Sequence, residues 1–205
     1  MEEAKTGIVK VGLLGSAGLG KSGIAQRISQ AVGLRFLRSK DITRPVLTKY
    51  GYDYGMGGCV ENFLSRRDIE FEIVRRRLTA EEECINGFVT DRTTLECFAY
   101  AMLNVEKYSC EDIGDLEEMC RGNMKKYTHL FYFPQSMGWL EENGVRTVNE
   151  YFQWKVDMLI CGLLKDWGIR FIDVSSYRND DVSSYRNVEN GILKEIGYGI
   201  DERGS

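Results

Sequence analysis

The feature that most limits what this chain can fold into is the run Gly15-Ser16-Ala17-Gly18-Leu19-Gly20-Lys21-Ser22. Before it, Gly7 to Gly15 is apolar and β-branched. After it, Ile24, Ala25, Ile28, Ala31 and Val32 fall at helical spacing until Gly33 closes the pattern. A G-x-x-x-x-G-K-[ST] run between a strand and a helix is a phosphate-binding loop. Its glycines let the backbone bend around an anion without interference from a Cβ, so that successive N–H groups and the helix N-terminus face the phosphates. Lys21 is then positioned for the β- and γ-phosphates of a nucleoside triphosphate, and Ser22 for Mg²⁺. An ordinary glycine turn gives no reason for Lys-Ser at this offset, so all eight residues are candidate nucleotide contacts.

Four further short strands are expected at Arg35 to Ser39, Gly87 to Asp91, Thr128 to Phe133 and Ile169 to Val174. Helical patterns separate them at about Arg66 to Ile85, Thr94 to Asn104, Glu111 to Lys126 behind the N-cap candidate Ser109, and Asn149 to Trp167 before Gly168. Apolar strands alternating with helices predict an α/β fold, a five-stranded parallel sheet covered on both faces. At 205 residues and 43% hydrophobic content, residues 1–205 are expected to form one domain. Tyr50 to Gly58 has the glycine density of a loop. Asp173-Val-Ser-Ser-Tyr-Arg-Asn-Asp180 is repeated at once as Asp181-Val-Ser-Ser-Tyr-Arg-Asn-Val188. Two copies are too few for a solenoid, and a lengthened loop after the last strand is expected.

Further chemistry gathers near strand ends. Asp91-Arg92 follows the third strand at the sheet edge where open α/β folds bind ligands. Asp91 suits Mg²⁺ or its water shell, and the Arg92 fork suits an acceptor or a transferring phosphoryl group. The plainer alternative makes Asp91 the N-cap of the next helix and Arg92 a surface charge. In Ser39-Lys-Asp41-Ile-Thr-Arg44, Asp41 is a candidate general base for an acceptor hydroxyl, or else a helix cap, and Arg44 is a candidate substrate contact. Arg146, in a lid segment at about 135–150, could fold over the triphosphate and exclude water.

Composition bears on partners. The net charge of −4 argues against a surface that coats nucleic acid. Between Arg35 and Arg77, however, ten Lys/Arg face six Asp/Glu, a local +4 that leaves −8 elsewhere, so an anionic partner is expected to dock there. Phe36, Tyr50, Tyr52, Tyr54, Phe63 and Phe71 lie among those charges and are candidates to stack on a base, with Phe36 as readily a core residue. Six cysteines without a CxxC pair and a single histidine, His129, give no zinc spacing, and reduced structural thiols are expected. No apolar run approaches a membrane span and the first residues are acidic, so the chain is expected to be soluble and cytoplasmic, without a membrane partner.

With these residues in view, the chain resembles the P-loop nucleoside and nucleotide kinase superfamily over nearly its whole length. Asp91-Arg92 is similar to the Asp-Arg motif of thymidylate kinases and the Glu-Arg-Ser motif of deoxynucleoside kinases. Asp41-x-x-Arg44, Gly138-Trp-Leu-Glu-Glu-Asn-Gly-Val-Arg146, Phe152-Gln153 and Leu163-Leu164 resemble the ribosylnicotinamide kinase domain of the NAD-biosynthesis regulator. The resemblance implies a three-layer P-loop kinase fold with sheet order 2-3-1-4-5, ATP and Mg²⁺ as cofactors, a lid after strand four, and adenine near the loop after strand five. That leaves the adenine contact open between Tyr177/Arg178 and Tyr185/Arg186.

The activity expected is ATP-dependent transfer of the γ-phosphoryl group to a nucleoside, nucleotide or nucleotide-like acceptor. Two alternatives stand beside it. One is a phage-type kinase acting on 5-hydroxymethyluracil in DNA, and the other is a P-loop ATPase or switch acting on a protein partner. A homodimer is also left open.

Overall fold

A computed structural model describes residues 7–52, 67–137, 150–177 and 184–198. Its sheet is parallel, in the order β2-β3-β1-β4-β5. The strands are β1 (Val9–Gly15), β2 (Arg35–Leu37), β3 (Gly87–Thr90), β4 (His129–Phe133) and β5 (Ile172–Asp173). Seven helices are described: α1 (Lys21–Val32), α2 (Ser39–Lys49), α3 (Arg67–Glu82), α4 (Thr94–Met102), α5 (Cys110–Met124), α6 (Glu150–Asp166) and α7 (Ser184–Glu195). The expected three-layer α/β fold and strand order are therefore present.

The strands are apolar on both faces because helices cover both. Leu14, Leu130 and Tyr132 point into a core shared with α2 to α6, while Val11, Leu13, Phe131 and Phe133 point into one shared with α1 and α7. This alternation follows from the two-residue period of a strand. Among the described residues no helix is long and apolar enough to cross a membrane. The described cysteines, Cys84, Cys97, Cys110, Cys120 and Cys161, are free thiols.

Three local expectations are corrected. First, β2 stops at Leu37, and residues 39–49, left without a helical assignment by their sequence, form α2 around Pro45 with Val46 and Leu47 buried. Second, β5 is only Ile172–Asp173. Third, the repeat does not simply lengthen a loop. Val174–Tyr177 of the first copy forms a 3₁₀ turn, whereas Ser184 to Val188 of the second opens α7. The same Ser-Ser-Tyr-Arg letters take different forms because only the second copy runs on into Val188, Ile192 and Leu193, which bury one helical face against α1.

The aromatic residues of the basic segment are mostly structural. Phe36 packs against the core on the α1 side, Phe71 is buried on the other, and Tyr50 and Tyr52 pack against the latter. Tyr54, Phe63 and Cys59 lie outside the described residues. Part of the segment's charge is paired: Lys49 and Arg76 with Glu72 inside the segment, and Arg67 with Asp112 and Arg35 with Glu83 outside it.

Candidate active site

The phosphate loop leaves the end of β1 and enters α1, as its sequence predicts. Gly15 has φ 141°, and a Cβ there would lie 2.3 Å from the Phe133 carbonyl oxygen of β4. Gly20, the residue before α1, has φ 68°, and a Cβ there would lie 2.7 Å from the Tyr185 ring. Both positions need glycine for conformation and for space. Leu19 is buried in the core and pins the loop from beneath, leaving Ala17 and Gly18 half-buried at its crown.

Lys21 is only 6% exposed. Its ammonium group donates to the Gly15 carbonyl at 2.7 Å and to the Ser16 carbonyl at 2.6 Å. It also lies 3.9 Å from Glu96 Oε1. Ser22 donates its hydroxyl proton to Asp91 Oδ2. The other carboxylate oxygen of Asp91 accepts from the Ser39 amide at 2.7 Å. Asp91 therefore ties the phosphate loop to the first amide of α2, whose own N-cap residue, Arg38, supplies no side-chain cap.

This corrects the plainer reading of Asp91. It does not cap the helix that follows it. That task falls to Thr93, in a capping box with Glu96: the Thr93 amide donates to Glu96 Oε2 at 2.6 Å. Asp91 caps α2 instead, from across the sheet edge. Its oxygens beside the Ser22 hydroxyl are hard donors of the kind Mg²⁺ takes. Among the described residues no group of three or more His, Cys, Asp or Glu is arranged for a metal.

Arg92 turns back along α4, with its guanidinium 5.0 Å from the centre of the Tyr100 ring. Burial works against its charge, but Tyr100, Glu96, Cys97 and Asp91 outweigh it and hold Arg92 above the ordinary arginine range. Asp41 sits in the first turn of α2, exposed, with Arg44 one turn on and also exposed. The structure thus joins Ser22 to Asp91 directly, with Lys21 before Ser22 and Arg92 after Asp91 in the chain, while Asp41 and Arg44 stand on α2, which Asp91 caps. Arg146 and most of the proposed lid lie outside the described residues, as does Arg178.

Sequence reasoning passed over several buried polar groups that support this site. Glu96 is fully buried; desolvation raises its pKa, while Lys21, Arg92, the Thr93 amide and Arg77 pull it down. Arg77 is also fully buried and donates to the Arg92 carbonyl at 2.6 Å, to Thr90 Oγ1 at 3.2 Å and to Ser39 Oγ at 3.1 Å. Glu70 is 3% exposed, and burial pushes its pKa up to about 7 against the nearby Arg92. Glu96 had a visible signal, the Thr-x-x-Glu spacing of a capping box after Arg92. Arg77 had none, because it sits in the run Arg75-Arg76-Arg77 and only packing distinguishes the three.

The duplicated segments also separate in role. Tyr177 packs against Gly191 of α7, where a Cβ would meet its ring at 2.6 Å. Tyr185 instead lies against Gly20 of the phosphate loop, and Arg27 of α1 pairs with Glu189 of α7 at 2.5 Å.

Comparison with known proteins agrees with this fold. The profile of the AAA_28 family, described as an AAA domain, matches residues 10–180. No curated protein matches the chain. Among solved structures, NadR in complex with NR aligns with a TM-score of 0.72 and 15% identity, over 98% of this chain and 55% of that one. NadR in complex with NAD and AMP-PNP aligns at 0.68 and 14%, over 97% and 52%. The chain thus spans about half the length of the NadR chains it matches. Deoxyadenosine kinase from M. mycoides with bound dATP aligns at 0.64 and 14%, over 92% and 99%. Shikimate kinase from Acinetobacter baumannii aligns at 0.54 and 14%, over 93% and 94%. At these identities the likeness is one of fold. With its phosphate loop, its sheet order and a profile match over most of its length, the chain belongs to the AAA-domain family and has the P-loop nucleotide-kinase fold.

Proposed function

We propose that this protein is a Mg²⁺- and ATP-dependent kinase that transfers the γ-phosphoryl group to a nucleoside- or nucleotide-like acceptor. The observation that carries the reading is the junction at Asp91: one carboxylate binds the phosphate-loop serine and the first amide of α2, and the next residue is Arg92. Nucleotide and acceptor sides of the sheet edge thus meet at one side chain. The kinases among the structural neighbours, with bound AMP-PNP or dATP in two of them, support the same reading.

In this reading the backbone amides of Gly15 to Ser22 cradle the phosphates, and Lys21 leaves the Gly15 and Ser16 carbonyls for the β- and γ-oxygens. Ser22 and Asp91 hold Mg²⁺, which neutralises developing charge when bound. Arg92 clamps the transferring group or the acceptor, Arg146 adds a second cation, and Asp41 with Arg44 contacts the acceptor from α2. Such a mechanism works by positioning and charge neutralisation. Tyr185, on Gly20, is better placed for adenine than Tyr177, which is committed to Gly191.

The test is ATP and Mg²⁺ with a mixed panel of nucleosides, nucleotides and an oligonucleotide bearing 5-hydroxymethyluracil, read by product mass. Acceptor-dependent ADP formation with a product heavier by one phosphoryl group is expected, and its mass names the acceptor. Fast hydrolysis that ignores every acceptor would overturn the reading in favour of an ATPase or switch.

A further inference from the structure

One wall of the sheet edge is unexplained by the groups assigned so far. On α6, Gln153 and Asp157 stand four residues apart and so share a helix face. Gln153 is buried, and its Oε1 has no hydrogen-bond partner among the described residues; Asp157 Oδ1 is likewise buried and unpartnered. Buried polar oxygens without a partner are uncommon in folded proteins and call for an explanation. Burial raises the Asp157 pKa, opposed by the Tyr132 hydroxyl, the Gln135 amide and, through space, Lys21. Asp157 therefore lies beside the end of β4 and within electrostatic reach of the phosphate-loop lysine, with Gln153 one helical turn before it.

Asp91 is engaged by Ser22 and Ser39. Glu96 is engaged through Oε2 by its own capping box, and its Oε1, which accepts no hydrogen bond, faces the Lys21 ammonium at 3.9 Å. Asp157 is half-buried, and its Oδ1 accepts no hydrogen bond. Across from α6, Tyr100 of α4 approaches Phe152 with ring centres 6.5 Å apart, and the Arg92 guanidinium covers the Tyr100 ring. An aromatic and cationic stack therefore reaches α6 at Phe152, the residue before Gln153.

Resting on the kinase reading above, we propose that Gln153 and Asp157 bind hydroxyl groups of the acceptor, so that the acceptor is a sugar-bearing molecule with more than one free hydroxyl. Hydroxyls fit because each can donate to these oxygens while still accepting from a neighbouring donor. An acceptor lacking such donors would leave both oxygens buried and unsatisfied, a penalty that selects against it.

The test compares wild type with Gln153→Ala and Asp157→Asn on ribonucleosides and their 2′- and 3′-deoxy analogues, with Mg·ATP affinity measured separately. Each variant should lose about tenfold or more in kcat/KM for the hydroxylated acceptor, with Mg·ATP affinity within about twofold. Deleting a sugar hydroxyl should cost wild type about tenfold, and much less in the variant that has lost its partner. Folded variants with unchanged acceptor kinetics would show that water satisfies these oxygens and would overturn the proposal. Equal deoxy penalties in wild type and variants would overturn it too. Should a variant not fold, the analogue series on wild type decides: indifference to every sugar hydroxyl defeats the inference and leaves the kinase reading standing. If wild type phosphorylates no acceptor at all, both fall.

Discussion

Replacing Arg77 by methionine removes a charge from the centre of the site while roughly keeping its bulk. Three donated hydrogen bonds disappear, to the Arg92 carbonyl, Thr90 and Ser39. At about 1 kcal/mol net each they sum to about 3 kcal/mol, and removing one partner from a buried ionic cluster costs about 3–5 kcal/mol on its own scale. Both routes give a loss of about 3–5 kcal/mol, against a total of about 5–15 kcal/mol for a domain. At about 2–4 °C per kcal/mol for this size, Tm should fall by about 6–20 °C.

The loss should also depend on pH. Glu81 and Glu96 both have carboxyl pKa values raised above 4.5 by burial, and Arg77 is among the groups that pull them back. A carboxyl whose folded pKa exceeds its unfolded one destabilises the fold progressively as pH rises from the unfolded to the folded value. Without Arg77 those folded values climb further, so the penalty accrues over a wider range. Urea unfolding of both proteins at pH 5 and pH 8 checks this: the deficit of the variant should be larger at pH 8. A deficit under about 1 kcal/mol, or one that shrinks as pH rises, would refute the assignment of Arg77 as the cluster's counter-ion.

Three other outcomes are expected. Glu70, with a folded pKa of about 7, should lower wild-type stability between pH 4.5 and 7 by up to about 3 kcal/mol, and Glu70→Gln should flatten that slope; parallel pH–stability curves would count against it. Gly20→Ala should abolish nucleotide binding by calorimetry and cost about 1–3 kcal/mol, because a side chain at φ 68° is strained and also meets Tyr185. Adding Tyr185→Ala should recover only part of that stability, since the backbone strain remains. Thr93→Ala should cost about 1 kcal/mol by removing the α4 cap, and should lower turnover more than ATP affinity, since the cap positions the Arg92 turn.

How far the sequence reveals this protein follows from where each signal lies. The phosphate loop and β3 are local: a strand period, glycines and a polar pair fall within a few residues, so both could be read directly. The helix α2 was hidden because its capping group, Asp91, comes from 52 residues away and because Pro45 stands inside it. Arg77 looked like surface charge and is core, since nothing in three consecutive arginines says which one faces Thr90. The repeat is the sharpest case. Identical letters became a 3₁₀ turn and a helix, and the difference lies in the apolar residues beyond the second copy, with Tyr185 set against the phosphate loop.

The position of Lys21 carries a consequence for energetics rather than for geometry. Because its ammonium is already satisfied by two loop carbonyls and faces Glu96, triphosphate binding is an exchange of partners, and the affinity reports only the difference between the two sets. When Lys21 departs, Glu96 loses the cation that most offsets its burial. The carboxyl then holds a proton more tightly, so ATP binding should draw protons from solution. Calorimetry in buffers of different ionisation enthalpy would read this uptake directly, and it should vanish in Glu96→Gln. The phosphate loop thus faces a carboxyl whose burial Lys21 offsets, and in the proposed kinase the energy of ATP binding should fall as pH rises.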